Sequence, residues 1–133
     1  MKYMLDTNIC IHFLEDNPLI IRKFKNKRDK DVGISTITLA ELEYGVYKNS
    51  SYEINRNKLL NFLKLINILS FDDNAAMCFG IIKADLLRKK KTVKPYDTLI
   101  AAHAISTQRI MVTDNICDFN NINRLKVENW IKP

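Results

Sequence analysis

The chain has 133 residues, near the commonest length of one domain and enough for a single modest core, so one domain over residues 1–133 is expected. Gly and Pro are scarce, three of each, and nothing resembles a low-complexity tract or an internal repeat. The apolar runs break before the ~20 residues of a membrane span, and the start lacks the pattern of a secretion signal, so a cytoplasmic protein is the expectation. The net charge of +6 favours an acidic partner such as nucleic acid. Cys10, Cys78 and Cys117 show neither a disulfide framework nor zinc-ligand spacing, and are read as small buried apolar side chains.

In chain order, Lys2 to Leu5 predicts a short strand, and Thr7 to Leu14 a helix that Asp6 can cap. Pro18 opens a second helical stretch that runs into the charged cluster Lys25 to Asp31. Val32 to Ser35 predicts a second strand, followed by a helix in "STITLAELEYGVYKN" and another over Tyr52 to Ile66. "NILSF" predicts a third strand that ends at Asp72 and Asp73, then a helix runs from Ala75 to about Lys90. After a basic run and Pro95, "TLIAAHAIS" predicts an Ala-rich helix buried on most sides; "RIMVT" and "RLKVENW" supply the last two strands. Strands alternating with helices predict a mainly parallel sheet covered on both faces, an α/β three-layer sandwich.

In such a sheet, ligands bind outside the carboxyl ends of the strands, where loops converge and helix N-termini point. The predicted strand ends put Asp6 and Asp114 at that edge, with Ser35 beside them. Glu41 lies in the helix after the second strand, Asp97 at the start of the helix after the basic run, and Asp118 about a turn beyond Asp114. Taken singly, Asp6, Asp97 and Asp114 also suit helix caps or turns. Taken together, four or five carboxylates meet with no Lys or Arg evidently interleaved. Such a group must either protonate in part or hold a cation. All-oxygen ligation suits Mg²⁺ or Mn²⁺, the equipment of metal-assisted phosphodiester hydrolysis.

These residues resemble those of the PIN-domain ribonucleases, and more narrowly of the VapC toxins of type II toxin-antitoxin pairs. "MLDTNICI", "ISTITLAELEYGV", "YDTLIAAHA", "VTDNICDF" and "LKVENW" carry the resemblance in order along nearly the whole chain. It implies that Asp6, Glu41 and Asp97 are metal ligands, with Asp118, which precedes Phe119, preferred as the fourth and Asp114 as the alternative. It also implies that Thr7 and Asn8 orient Asp6, and that Ser35, Thr113 and Asn115 hold the ligand carboxylates or a water. The implied activity is a Mg²⁺- or Mn²⁺-dependent endoribonuclease acting on structured RNA such as tRNA to arrest translation. A homodimer and a VapB-like antitoxin are implied too, the antitoxin covering the acidic pocket and alone contacting promoter DNA.

The chain departs from the family in "LLRKKKTVKPYD", where Lys91 and Lys94 stand near expected glycines. Arg88, Lys89, Lys90, Lys91 and Lys94 are therefore candidates for RNA phosphate contacts along the pocket rim, beside the simpler reading of a solvated helix end. His103 is read as a core histidine, His12 has no evident partner, and Trp130 is read as a packing residue. A catalytically silent binding module is the alternative. Nucleotide binding lacks a glycine-rich loop, and a haloacid-dehalogenase phosphatase lacks its second Asp, Asn8 standing there instead.

Overall fold

The computed structural model describes residues 1–131, with Asp29 through its backbone only. Strands β1 (Tyr3–Leu5), β2 (Val32–Ser35), β3 (Asn67–Leu69), β4 (Ile110–Val112) and β5 (Val127–Glu128) form one sheet in the order β3-β2-β1-β4-β5. Every neighbouring pair is parallel, with Met4 opposite both Gly33 and Met111. The helices are α1 (Thr7–Leu14), α2 (Pro18–Lys25), α3 (Thr36–Tyr47), α4 (Tyr52–Leu63), α5 (Asp73–Lys89) and α6 (Pro95–Ser106). The expected α/β sandwich with a parallel sheet is therefore what the chain forms.

Strand side chains alternate between two cores, as a period of two requires. Leu5, Ile34 and Val112 point to one face and pack with Ile9, Ile20, Leu59 and Phe62 from α1, α2 and α4. Met4 and Met111 point to the other and pack with Ile82 and Leu86 of α5 and Ile100 of α6. With both faces covered, the central strands read as unbroken apolar runs, the usual state of parallel strands.

Local chemistry sets the helix starts. Asp6 caps α1, its Oδ1 accepting from the Ile9 N–H at 2.9 Å, and Asp72 caps α5 through the Ala75 N–H at 3.0 Å. Asn17 caps α2 ahead of Pro18, and Pro95 occupies the first turn of α6. Lys90 ends α5 in the left-handed conformation, φ 57°.

Several boundaries differ from expectation. The second helix stops at Lys25 rather than entering the charged cluster, where Asp29–Asp31 makes one 3-10 turn. Helix α4 ends at Leu63, the Leu65 N–H bonding back to the Phe62 carbonyl in a tighter turn. The last strand keeps only Val127–Glu128, because it sits at the sheet edge with β4 as its single partner. Cys10 is buried, but Cys117 is exposed on the 3-10 turn Ile116–Phe119, so the expectation of three buried cysteines fails there.

Trp130 is buried edge-on to Tyr3, ring centroids 5.4 Å apart, in its expected packing role. Arg109 is buried under the sheet end and donates from Nη1 to the carbonyls of Tyr3 and Asp31, at 3.0 and 3.3 Å, tying β1 to the entry of β2. Among the described residues no helix is long and apolar enough to cross a membrane.

Candidate active site

The carboxyl ends of β1, β2 and β4 carry Asp6, Ser35 and Thr113 respectively, each just past or at its strand and each buried. Asp6 is only 4% exposed. Its backbone N–H continues the sheet by donating to the Val112 carbonyl at 3.0 Å, while its side chain caps α1. The position thus serves both as a cap and as a carboxylate held at the sheet edge.

Burial pushes the Asp6 carboxyl up to about 6, against the opposing hydrogen bonds from the Ile9 N–H and the Thr113 hydroxyl; the charges of Asp114 and Asp97 push further in the same direction. Asp97, in the first turn of α6, is also raised, first by desolvation, then by Glu41 and Asp118, with Lys94 opposing. Burial raises the thiol of Cys10 well above its ordinary value, and the charges of Asp6 and Glu41 add to that. Asp6 thus lies within electrostatic reach of Asp97 and Asp114, and Asp97 within reach of Glu41 and Asp118.

Each outer carboxylate has its own tether. Thr7 Oγ1 donates to Glu41 Oε1 at 2.6 Å, joining α1 to α3. Asn115 Nδ2 donates to Asp118 Oδ2 at 2.5 Å, and the Asn115 N–H donates to Thr113 Oγ1 at 3.1 Å. Asp114 Oδ2 meets His12 Nε2 at 2.9 Å. Among the described residues no three His, Cys, Asp or Glu side chains converge as a ready-made metal cage. The donor chemistry still fits a hard divalent cation: the set is all carboxylate, and only Lys94 acts on Asp97 as a counter-charge. Mg²⁺ in particular keeps several waters and takes few protein ligands.

Three expected roles change. Thr7 and Asn8 do not hold Asp6: the Thr7 hydroxyl turns to Glu41, Asn8 is exposed, and Asp6 is held by Ile9 and Thr113. Ser35 does not reach a carboxylate, because its hydroxyl caps α3 through the Ile37 N–H at 3.1 Å and lies 2.8 Å from His103 Nδ1. His103 is accordingly a core histidine, its basicity lowered by burial. Third, the basic run divides. All five residues are exposed, but Lys89 is committed to Asp85, the Asn121 carbonyl and Asn123 and Arg88 lies near Asp85, whereas Lys94 acts on Asp97.

Sequence reasoning missed the partner of His12. The residues are 102 positions apart, and the one available signal was that His12 lies on the helix that Asp6 caps. Glu43, the other carboxylate of α3, pairs with Arg56 of α4, whereas Glu41 accepts from Thr7 of α1.

A PIN-domain family model matches residues 3–124. The chain is 39% identical, over 98% of both proteins, to the tRNA(fMet)-specific endonuclease VapC of Salmonella typhimurium. Its fold superposes with a TM-score of 0.93 on a chain of the DNA-bound VapBC structure from Salmonella typhimurium, at 38% identity and 98% coverage of each. The VapBC2 structure from Rickettsia felis, bound to a promoter DNA fragment, gives 0.90 at 36% identity, covering 98% of this chain and 99% of that one. The chain belongs to the PIN-domain family and, within it, to the VapC ribonucleases.

Proposed function

We propose that this chain is a divalent-metal-dependent endoribonuclease that acts as the toxin of a toxin-antitoxin pair, with structured RNA such as tRNA as substrate. The observation that carries the reading is a carboxylate, Asp6, buried at the carboxyl end of β1 and desolvated there, with Asp114 and Asp97 close enough to act on it and Glu41 and Asp118 close enough to act on Asp97. Clustered carboxylates of raised basicity mark sites built for a cation or for proton transfer. In this reading Asp6, Glu41, Asp97 and Asp118 hold Mg²⁺ or Mn²⁺, and Asp114, bonded to His12, stands beside them. When bound, the ion supplies an acidified water and charge neutralisation at the phosphate.

The remaining work belongs to the protein. Thr7 fixes Glu41, Asn115 fixes Asp118, and Thr113 with the Ile9 N–H fixes Asp6, so the carboxylates keep their directions while the charge of the phosphate changes. Lys94, exposed three residues before Asp97 and acting on its charge, is suited to a phosphate oxygen, and Lys90 and Lys91 extend the cationic rim. No side-chain nucleophile is needed. Similarity to chains of VapBC complexes supports a VapB-like antitoxin as partner, with promoter DNA reached through that complex. Exposed Met77, Ile81 and Leu87 on α5 are consistent with the homodimer that is part of this reading.

The test is incubation of the partner-free protein with total bacterial RNA and Mg²⁺ or Mn²⁺, with cut ends mapped. Discrete cuts absent with Asp97→Asn and with EDTA support the reading. Intact RNA, with folded Asp97→Asn and wild type binding it equally, supports a silent binding module instead.

A further inference from the structure

Beside the carboxylates lies a cleft of about 850 Å³, bounded by α1, α3, α4 and the first turn of α6. Thr7, Asn8 and Glu41 form part of its wall, so it is continuous with the candidate active site. Its lining also includes Tyr44, Tyr96, Lys48 and Lys58.

The two tyrosines stand out by exposure. Tyr44 is 70% and Tyr96 58% exposed, although both are large rings. A single exposed aromatic needs no explanation. Here two share one cleft, and each is tied by the chain to a carboxylate of the site. Tyr44 follows Glu41 by three residues on α3, the spacing that puts side chains on one helix face, and Tyr96 immediately precedes Asp97. Tyr47, by contrast, packs on Tyr52, centroids 6.1 Å apart. Lys48 Nζ sits 5.9 Å from the Tyr44 ring centroid, a cation beside a ring.

Resting on the ribonuclease reading, we propose that Tyr44 and Tyr96 are substrate-binding residues that stack on an unpaired nucleotide flanking the phosphate to be cut, with Lys48 and Lys58 meeting its backbone. Three features favour RNA as the occupant. The two exposed rings offer faces to bases, Lys48 and Lys58 offer cations to phosphates on a wall that also carries Glu15, and the cleft reaches Glu41 of the candidate site. Asn8, Asn49 and Asn55 add amides that can meet base edges, although Asn55 Nδ2 already donates to Asn49 at 3.2 Å. Ring stacking tolerates any base but requires it to be free of a helix, so the pair selects loops and single strands over duplex.

The experiment measures binding of a labelled single-stranded oligoribonucleotide, and of the same sequence as duplex, to the full chain in EDTA by fluorescence anisotropy. Wild type, Tyr44→Ala, Tyr96→Ala, Tyr44→Trp and Tyr96→Phe are compared, with cleavage in Mn²⁺ assayed in parallel. Each Ala variant is expected to bind single strands roughly tenfold more weakly, with the aromatic replacements near wild type and duplex binding unchanged. Ala variants that bind and cleave single-stranded RNA like wild type overturn the stacking role and leave the cleft to a protein segment. Equal losses for duplex and single strand overturn it as well. Absence of cleavage by wild type in Mn²⁺ removes the ribonuclease reading itself, and the proposal with it.

Discussion

Asp6→Asn is expected to stabilise the protein at neutral pH in EDTA. The carboxyl moves from an ordinary 3.8 to about 6 in the folded state, at a side chain only 4% exposed. Between these values the folded chain holds a proton that the unfolded chain has released, so stability falls as pH rises through this window and the deficit persists above it. A rise of that size corresponds to about 3 kcal/mol at most. Asn keeps a carbonyl for the Ile9 N–H and an amide for the Thr113 hydroxyl, but it loses the charge that favours a helix N-terminus, worth roughly 0.5 kcal/mol. The net gain for Asp6→Asn at pH 7 is therefore on the order of 2 kcal/mol. Urea unfolding in EDTA at pH 4, 5, 6 and 7 measures it for both proteins, and titrating groups remote from Asp6 cancel in the difference, leaving Asp6 and its coupling to Asp97 and Asp114. The expected difference is small at pH 4, grows between pH 4 and 6, and then levels. A difference that stays flat with pH, or an Asn variant less stable at pH 7, would refute the account of Asp6 as a desolvated carboxylate.

Gly33→Ala places a Cβ 3.1 Å from Leu69 Cδ1, 3.2 Å from the Asn67 carbonyl oxygen and 3.3 Å from Arg109 Nη1. Because one neighbour is backbone, a loss of about 1–3 kcal/mol is expected in urea unfolding. Ser35→Ala removes the α3 cap and the partner of His103, with an expected loss of about 1–3 kcal/mol but unchanged cleavage per folded molecule, since Ser35 touches no carboxylate of the site. Lys94→Gly removes the charge that opposes the rise of Asp97, so the acid limb of a kcat/KM profile should move to higher pH while RNA affinity and its salt dependence fall. An unmoved limb and unchanged salt dependence would remove Lys94 from both roles.

Signals carried by neighbouring residues were readable in advance. The bounds of α1 and of β2 follow from Asp6 and from the apolar run ahead of Ser35, and both match the observed elements. That Asp6 and Asp114 stand at the same edge followed from topology, because a parallel sheet collects its loops there, whereas the choice of Asp6, Glu41 and Asp97 as ligands came from the family resemblance. What the linear pattern did not carry are side-chain partnerships between distant residues. Ser35 looked like a site hydroxyl, yet its partner His103 is 68 positions away in the core. His12 had no visible role until β4 brought Asp114 to it. Arg109 read as the first residue of a strand, whereas its guanidinium runs under the sheet to carbonyls of two other segments. Even the basic run, uniform as a string, splits because the helix end turns Lys89 toward Asp85 and leaves Lys94 near Asp97.

The central claim is that these carboxylates bind the ion that cleavage requires, and one paired titration tests it most directly. Calorimetric Mn²⁺ binding and RNA cleavage are measured on the same partner-free protein, for wild type and Asp97→Asn. The account predicts saturable Mn²⁺ binding whose midpoint matches the half-maximal rate, with both lost together in the variant. Cleavage that persists in EDTA, or Mn²⁺ binding that survives Asp97→Asn while cleavage disappears, would contradict it.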